Sequence, residues 1–201
     1  MNTKTYLTEI AKQNSIAVKS LQFPDCALKP ENIKVIMISE VPSKKAEDGF
    51  YSVVSESEYM KSAIGLFVAA GVQVKNMRDI INLGIYITTA VKIPKTEYTV
   101  DPAVISAHLP VLEAEIALFP NLKAIMLMGD VAKKAVNMIT KAKTKKNVIP
   151  SGATGRLRHN EYFWNNIRVF PSYIMTGKNL LIEPFKRDCV AEDIRKMMKF
   201  I

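Results

Sequence analysis

The chain has 201 residues, of which 48% are hydrophobic and 23% are charged, and its formal net charge is +9. These proportions are typical of a folded globular domain, and the sequence has no apolar run of membrane-spanning length and only two cysteines. From the polar residues at its beginning we expect no signal peptide. The excess of Lys and Arg favours a polyanionic partner such as nucleic acid, although a basic surface can also serve solubility alone. We therefore expect one cytoplasmic domain over residues 1–201.

Apolar runs of strand length alternate with helical patterns in the first half of the chain. The predicted elements are a helix over residues 4–14, a strand over 33–38, a helix over 58–70 with Gly71 as its C-cap, a short helix over 77–83 and a strand over 85–91. The run over 33–38 is apolar at nearly every position, which is typical of a parallel strand that helices cover on both faces.

The second half continues the alternation. It predicts a helix that begins at Asp101-Pro102 and that Pro110 should kink or divide, a strand over 122–128, a helix over 131–139, two strands joined at Asn165-Asn166 and a final helix over 184–200. A lysine-rich segment over 141–146 follows the helix predicted over 131–139 and is equally consistent with a solvated helix end and with a nucleic-acid contact. The whole pattern predicts an α/β fold with three α/β/α layers and a central, mostly parallel sheet.

Functional sites in such folds form in the loops beyond the carboxyl ends of the strands. The first of these loops, Ser-Glu-Val-Pro-Ser over residues 39–43, places Glu40 beside a proline-stiffened turn at a strand end, where a carboxylate can act as a general base or stabilise a cation. The same loop carries Phe50 and Tyr51, whose rings can stack on a nucleobase. The alternatives are a solvent-exposed glutamate and two aromatics that fold back onto the core.

These segments resemble motifs of the uracil-DNA glycosylases, and of their iron–sulfur-cluster branch in particular. Residues 39–43 resemble its Gly-Glu-Ala-Pro-Gly motif, and residues 49–51 lie at about the spacing of its Gly-x-Pro-Phe loop. Residues 86–92 are similar to its Tyr-Ile-Thr-Asn-Val-Val-Lys strand. Residues 112–128 resemble one of its helices and the strand that follows. Residues 169–173 resemble the segment that leads to its His-Pro motif. The order of the motifs from about Pro24 to Phe200 carries the resemblance.

The resemblance implies excision of a flipped base from DNA. It assigns Glu40 as the catalytic residue, and the base-binding residues it implies are Ser39, Val41, Phe50, Tyr51 and Thr89. The DNA-binding residues expected on the same grounds are Ser43, Arg156, Arg158, Ser172, Tyr173 and Lys178. The expected partner is single- or double-stranded DNA, with no membrane, and the chain is expected to act as a monomer.

Several residues depart from the family pattern. Thr89 stands where the family has an asparagine. An amide offers a hydrogen-bond donor and an acceptor in fixed geometry, whereas a hydroxyl has a single oxygen, so a bidentate contact with the base edge is lost. Ile174 and Met175 stand where the His-Pro pair is expected, so a donor to the departing base is missing. Ser39 and Ser43 replace two glycines, which could crowd a backbone that approaches the DNA.

The cluster ligands depart from the pattern as well. Cys26 matches one of the family's four cysteines, whereas Phe23, Ile93 and His108 stand at the other three. Since a cubane cluster needs four ligands, we expect no iron–sulfur cluster, no other metal and no cofactor.

Three functions therefore remain open. The first is a glycosylase that removes uracil or another damaged base. The second is a non-catalytic relative that binds nucleic acid without excising a base, and the third is a protein whose pocket holds a small molecule or another partner.

Overall fold

The computed structural model describes residues 1–52, 57–97, 99–176 and 183–201. Seven α-helices lie in these ranges: α1 (Thr3–Gln13), α2 (Glu58–Ala69), α3 (Met77–Asn82), α4 (Pro102–Ala117), α5 (Asp130–Thr144), α6 (Thr154–Leu157) and α7 (Pro184–Met197). The strands in the same ranges are β1 (Val35–Ser39), β2 (Ile85–Thr89), β3 (Ala124–Met128), β4 (Tyr162–Trp164) and β5 (Ile167–Ser172).

The five strands form one sheet in the order β2-β1-β3-β5-β4. The first four strands in this order are parallel, and β4 runs antiparallel to β5 at one edge. The chain reaches β2 on one side of β1 and then crosses over to place β3 on the other side. The predicted three-layer α/β/α fold with a mostly parallel sheet is thereby confirmed.

Alternate residues of each strand face opposite helical layers. On β1, Ile36 and Ile38 pack in a core shared with α4 and α5, whereas Val35 and Met37 pack in a core shared with α2 and α7. All five residues of β1 are buried, because helices cover both faces of the sheet. This arrangement explains the uninterrupted apolar run of the sequence. Helix α1 forms a small outer cluster on α4, through side chains that include Leu7 and Val111.

Most of the predicted elements are confirmed, with ends that move by a few residues. The two-strand prediction at residues 165–166 is confirmed in detail, because Asn165 and Asn166 both have positive φ, at 50° and 64°, as a type I′ hairpin turn requires. The strand predicted over 85–91 ends earlier, at Thr89, and the helix predicted over 131–139 runs on to Thr144.

Of the two effects expected at Pro110, a kink or a division of the fourth helix, the division is wrong. Helix α4 continues through this residue from Pro102 to Ala117. A proline removes one backbone hydrogen bond, but Val111 and Leu112, which follow it, are both fully buried. Packing on the sheet and on α1 therefore holds the helix together across the missing bond.

A buried ion pair joins the carboxyl end of β2 to α4. The Lys92 ammonium lies 2.6 Å from a Glu115 carboxylate oxygen, and both side chains are fully buried. The hydroxyls of Tyr86 and Thr88 donate to the other oxygen of Glu115, at 2.6 and 2.7 Å. Burial lowers the pKa of Lys92, and the neighbouring carboxylate opposes that shift. The pair is thus satisfied by hydrogen bonds, which is the condition for an internal ion pair to be tolerated.

Removing one partner of this pair should destabilise the fold severely. We expect Glu115→Ala to lower the free energy of unfolding by about 3–5 kcal/mol, because the Lys92 ammonium would remain buried without its counter-ion. Urea denaturation of the purified protein measures the change. The matched control is Glu113→Ala on the same helix, whose partly exposed pair with Lys143 should contribute less than about 1 kcal/mol. Equal losses in the two variants would contradict the role given to the buried pair.

Candidate functional site

A crevice opens where the chain leaves β1 and β3 in opposite directions. These strands are neighbours in the sheet, but the chain after β1 leads to β2 on one side and the chain after β3 leads to β5 on the other. Ligands of open α/β sheets bind at such a point, beyond the carboxyl ends of the strands. Glu40 directly follows β1 and Gly129 directly follows β3, so the predicted catalytic residue lies at this crevice.

The Glu40 carboxylate is held at the beginning of α5. Its Oε1 atom accepts a hydrogen bond from the backbone amide of Val131 at 3.1 Å. The positive end of the helix dipole stabilises a carboxylate in this position. Gly129 makes the contact possible, because a Cβ atom there would lie 2.5 Å from the same oxygen and its φ of 102° is open essentially to glycine alone.

A cavity of about 510 Å³ lies beside Glu40. It is bounded by the end of β5 at Ser172 and Tyr173, and by the loop and short helix over residues 152–155. Three lysines also line it: Lys95, Lys134 and Lys186. Two carboxylates, Glu40 and Asp130, lie among them, and Asp130 pairs with Lys133 at 2.8 Å. The three lysine ammonium groups of this lining offer positive charge to an anionic ligand.

A second cavity of about 280 Å³ brings together three of the predicted base-binding residues. Phe50 and Tyr51 come from the loop after β1, and Thr89 comes from the end of β2. The Tyr51 hydroxyl accepts a hydrogen bond from the amide of Ile87 at 2.9 Å, which fixes the ring against the edge of the sheet. Burial raises the pKa of Tyr51 well above its ordinary value, so the phenol stays protonated.

The buried ion pair supports the floor of this second cavity. Lys92 donates to the Thr89 carbonyl at 2.6 Å and to the Thr88 hydroxyl at 2.8 Å, and both threonines line the cavity. The position of Thr89 therefore depends on charges in the core. Phe50 is 6% exposed and packs in the core shared with α2 and α7, with its ring centre 5.1 Å from that of Tyr59, so this side chain folds back onto the core while it bounds the cavity.

The other two predicted base-binding residues are buried in the core. Val41 is 7% exposed and packs in the core shared with α4 and α5. Ser39 is 1% exposed, and its hydroxyl makes no hydrogen bond within the described residues. The structure does not bring these two side chains to either of the cavities described above.

Some of the predicted DNA-binding residues are exposed or line the larger cavity, and others form hydrogen bonds within the protein. Arg156 is exposed on α6, Tyr173 lines the larger cavity, and Ser43 is half-buried with its carbonyl bound by Gln22 at 3.2 Å. Ser172 also lines the larger cavity, but its hydroxyl donates to Asp193 at 2.7 Å. Lys178 lies outside the described residues.

Arg158 has a role inside the fold. Its side chain is 3% exposed, and its guanidinium pairs with Asp193 at 2.8 Å and with Glu192 at 2.8 Å. It also donates to the carbonyl of Cys189 at 2.7 Å, so it joins α6 to α7. Burial and these partners weigh against the predicted contact of Arg158 with a phosphate.

The residues at the four cluster positions do not fit an iron–sulfur cluster. Phe23 and Ile93 have no ligating atom, and burial raises the pKa of Cys26 to about 11, so its sulfur carries a proton at neutral pH. The Cys26 sulfur lies 3.4 Å from the Thr3 hydroxyl, and His108 Nδ1 lies 2.8 Å from the Val104 carbonyl. In the described part of the chain, no three His, Cys, Asp or Glu side chains converge as a metal site would require.

Sequence patterns did not identify the buried pair or the lysines of the cavity. Lys92 lies just beyond an apolar strand and Glu115 lies on the apolar face of a helix, and such misplaced charges are the one signal that could have paired them. Lys134 and Lys186 look like ordinary solvated positions of amphipathic helices. Their place at the cavity follows from the crossover of the strands, which the sequence does not display.

A scan of the chain against models of known protein families finds no match, and a search of curated proteins finds none either. The resemblance to the uracil-DNA glycosylases therefore rests on the order and spacing of the motifs. No helix in the described ranges has both the length and the apolar character that a membrane crossing requires.

Alanine substitutions at two glycines should have opposite effects on stability, because a Cβ atom would clash with Glu40 at Gly129 and would meet open space at Gly65. Gly129→Ala should destabilise the protein by about 1–3 kcal/mol, since it strains the backbone and displaces the carboxylate from α5. Gly65→Ala in α2, where a Cβ atom meets nothing within 4 Å, should stabilise it by about 0.5–1 kcal/mol. Thermal unfolding of both variants measures the difference, and a neutral Gly129→Ala would contradict the close packing of Glu40.

Proposed function

We propose that this protein binds DNA across the crevice between β1 and β3 and hydrolyses the N-glycosidic bond of a flipped damaged base, uracil being the first candidate. The observation that carries the proposal is the position of Glu40. Its carboxylate is fixed at the start of α5 and opens on a cavity with three lysines, and an aromatic pocket lies in the same loop region. Fold alone supports no particular reaction, so the proposal rests on these residues and on the motif resemblance.

The two cavities suit the two parts of a nucleotide. The smaller one, at about 280 Å³, is near the lower limit of ligand pockets and is walled by Phe50, Tyr51 and Thr89, which suits a flat base. The larger one carries Lys95, Lys134 and Lys186, which suit a sugar–phosphate backbone. A nucleotide that leaves the DNA stack would then place its glycosidic bond between the two.

Glu40 is the residue that acts on the reacting atoms in this proposal. Its carboxylate stabilises the positive charge that develops on the sugar as the bond to the base breaks, and it takes a proton from the attacking water. The water oxygen bonds to the sugar carbon, and the base leaves with the bonding electrons and acquires a proton from solvent. Because Ile174 offers no hydrogen bond to the departing base, we expect a slow reaction.

A second candidate function is DNA binding without excision. It is favoured by the hydrogen bond between Glu40 and Val131, because a carboxylate that holds a helix in place has a sufficient structural reason to be there. The two candidates share the DNA complex and differ only in bond cleavage. Affinity for DNA that falls steeply with salt is expected of both.

A single-turnover excision assay separates the two. Labelled single- and double-stranded oligonucleotides that contain uracil are incubated with excess protein, and hypoxanthine and xanthine substrates follow. We expect wild type to release a base and Glu40→Gln to be slower by about 10²-fold or more, because the amide cannot take a proton. The amide oxygen can still accept from Val131, so the fold is retained.

The control is Glu47→Gln, which neutralises an exposed carboxylate of the same loop and should leave the rate unchanged. Excision by wild type and Glu40→Gln at equal rates would refute the role of Glu40. No excision of any of the three bases, together with salt-sensitive binding, would leave only the binding function.

A further inference from the structure

We infer that Phe185, together with Tyr173 and Lys186, forms a stacking site for an unpaired nucleobase at the edge of the larger cavity. The inference rests on the proposed binding of DNA and adds a contact outside the pocket for the target base. The occupant is a base of the DNA strand next to the flipped nucleotide. Its recognition requires an aromatic face and a nearby cation, and both are present here.

The three side chains form a corner in which Phe185 is 55% exposed. The rings of Tyr173 and Phe185 meet edge to face, with centroids 6.3 Å apart and planes at 82°. Lys186 holds its ammonium 5.4 Å from the Tyr173 ring centre and 6.0 Å from that of Phe185. Tyr173 and Lys186 also line the larger cavity, which places Phe185 at its edge.

Neighbouring groups fix the corner on both sides. A Cβ atom at Gly155 would lie 2.9 Å from the Tyr173 hydroxyl, so the tyrosine ring packs closely against α6. Lys186 pairs with Glu183 one turn earlier in the chain, which restrains the ammonium above the rings. A rigid aromatic surface loses little conformational entropy when a base stacks on it.

The exposure of Phe185 is unexplained by packing. Its side chain is 55% exposed at the first turn of α7, although Tyr173 beside it is half-buried. Proteins that bind single-stranded nucleic acid place aromatic rings in a basic groove so that bases stack on them. The adjoining lysines of the cavity provide the positive charge for the phosphates, so an aromatic at this position suits a DNA strand better than an apolar protein partner.

Phe163 provides a matched comparison on the same chain. It is 56% exposed and also has a cation nearby, since the Arg168 guanidinium lies 5.5 Å from its ring centre. Phe163 pairs with Arg168 across β4 and β5, at the amino end of β5, whereas the cavity lies at the carboxyl end of that strand. The two phenylalanines thus share exposure and charge and differ in distance from the proposed cleft.

The test uses two fluorescein-labelled oligomers of the same length, oligothymidylate and an abasic oligomer that keeps the phosphates without the bases. Fluorescence anisotropy gives the Kd of the full chain for each. We expect Phe185→Leu to weaken the binding of oligothymidylate about tenfold and to leave the binding of the abasic oligomer unchanged. Phe185→Trp should retain the wild-type affinity, and Phe163→Leu should bind both oligomers as wild type does.

Circular dichroism and thermal unfolding of each variant verify the fold, which should tolerate a substitution at a position as exposed as Phe185. If Phe185→Leu binds oligothymidylate as tightly as Phe163→Leu, the stacking site is refuted while the proposed DNA binding stands. An equal loss for both oligomers would also refute it, since no base would then be involved. If wild type binds neither oligomer, the proposed function and the stacking site fall together.

Discussion

The hydrogen bond from the Val131 amide to the Glu40 carboxylate connects the two parts of the chain that separate at the centre of the sheet. One partner follows β1 and the other begins α5 after β3, and these strands lead away from each other. Without a contact across this point the crevice would be bounded by two independent loops. The carboxylate and the helix dipole stabilise each other, and Gly129 provides the space in which they meet.

A second set of polar contacts stabilises the site from within the core. Lys92 and Glu115 are fully buried, and their hydrogen bonds reach Tyr86, Thr88 and the carbonyl of Thr89. Such a network contributes little to stability compared with an apolar core of the same shape, but it allows few alternative geometries. The part of the smaller cavity's wall that Thr88 and Thr89 form is therefore set by the interior of the protein, whereas Phe50 and Tyr51 reach the wall from a loop.

The sequence was sufficient for the layers of the fold but not for the order of its strands. Apolar runs such as residues 33–38 are distinctive because both faces of a parallel strand are buried, and the asparagine pair at 165–166 is distinctive because few residues adopt positive φ. Strand order and helix continuity depend on contacts between distant residues. Pro110 illustrates this dependence. A proline usually ends or divides a helix, but α4 continues through Pro110 because the neighbouring side chains are buried.

The sequence identified some residues of the candidate site and misassigned others. Glu40, Phe50, Tyr51 and Thr89 were identified because each lies in a loop or strand end with a motif around it. Arg158 was expected to bind DNA, but its guanidinium pairs with Asp193, which lies 35 residues later in the chain on α7. Pairings of that kind have no local signature, so a basic residue in a sequence does not reveal whether it faces solvent or a buried acid.

The proposed binding of DNA at the carboxyl ends of β1, β3 and β5 can be mapped residue by residue with nuclear magnetic resonance. Backbone amide shifts of the isotope-labelled protein are followed while a uracil-containing oligonucleotide is added. We expect the largest changes at residues 129–131, at Gly155 and at Tyr173, with none at the hairpin around Phe163. Changes confined to the lysine-rich segment over residues 141–146, or no changes at all, would contradict DNA binding at these strand ends.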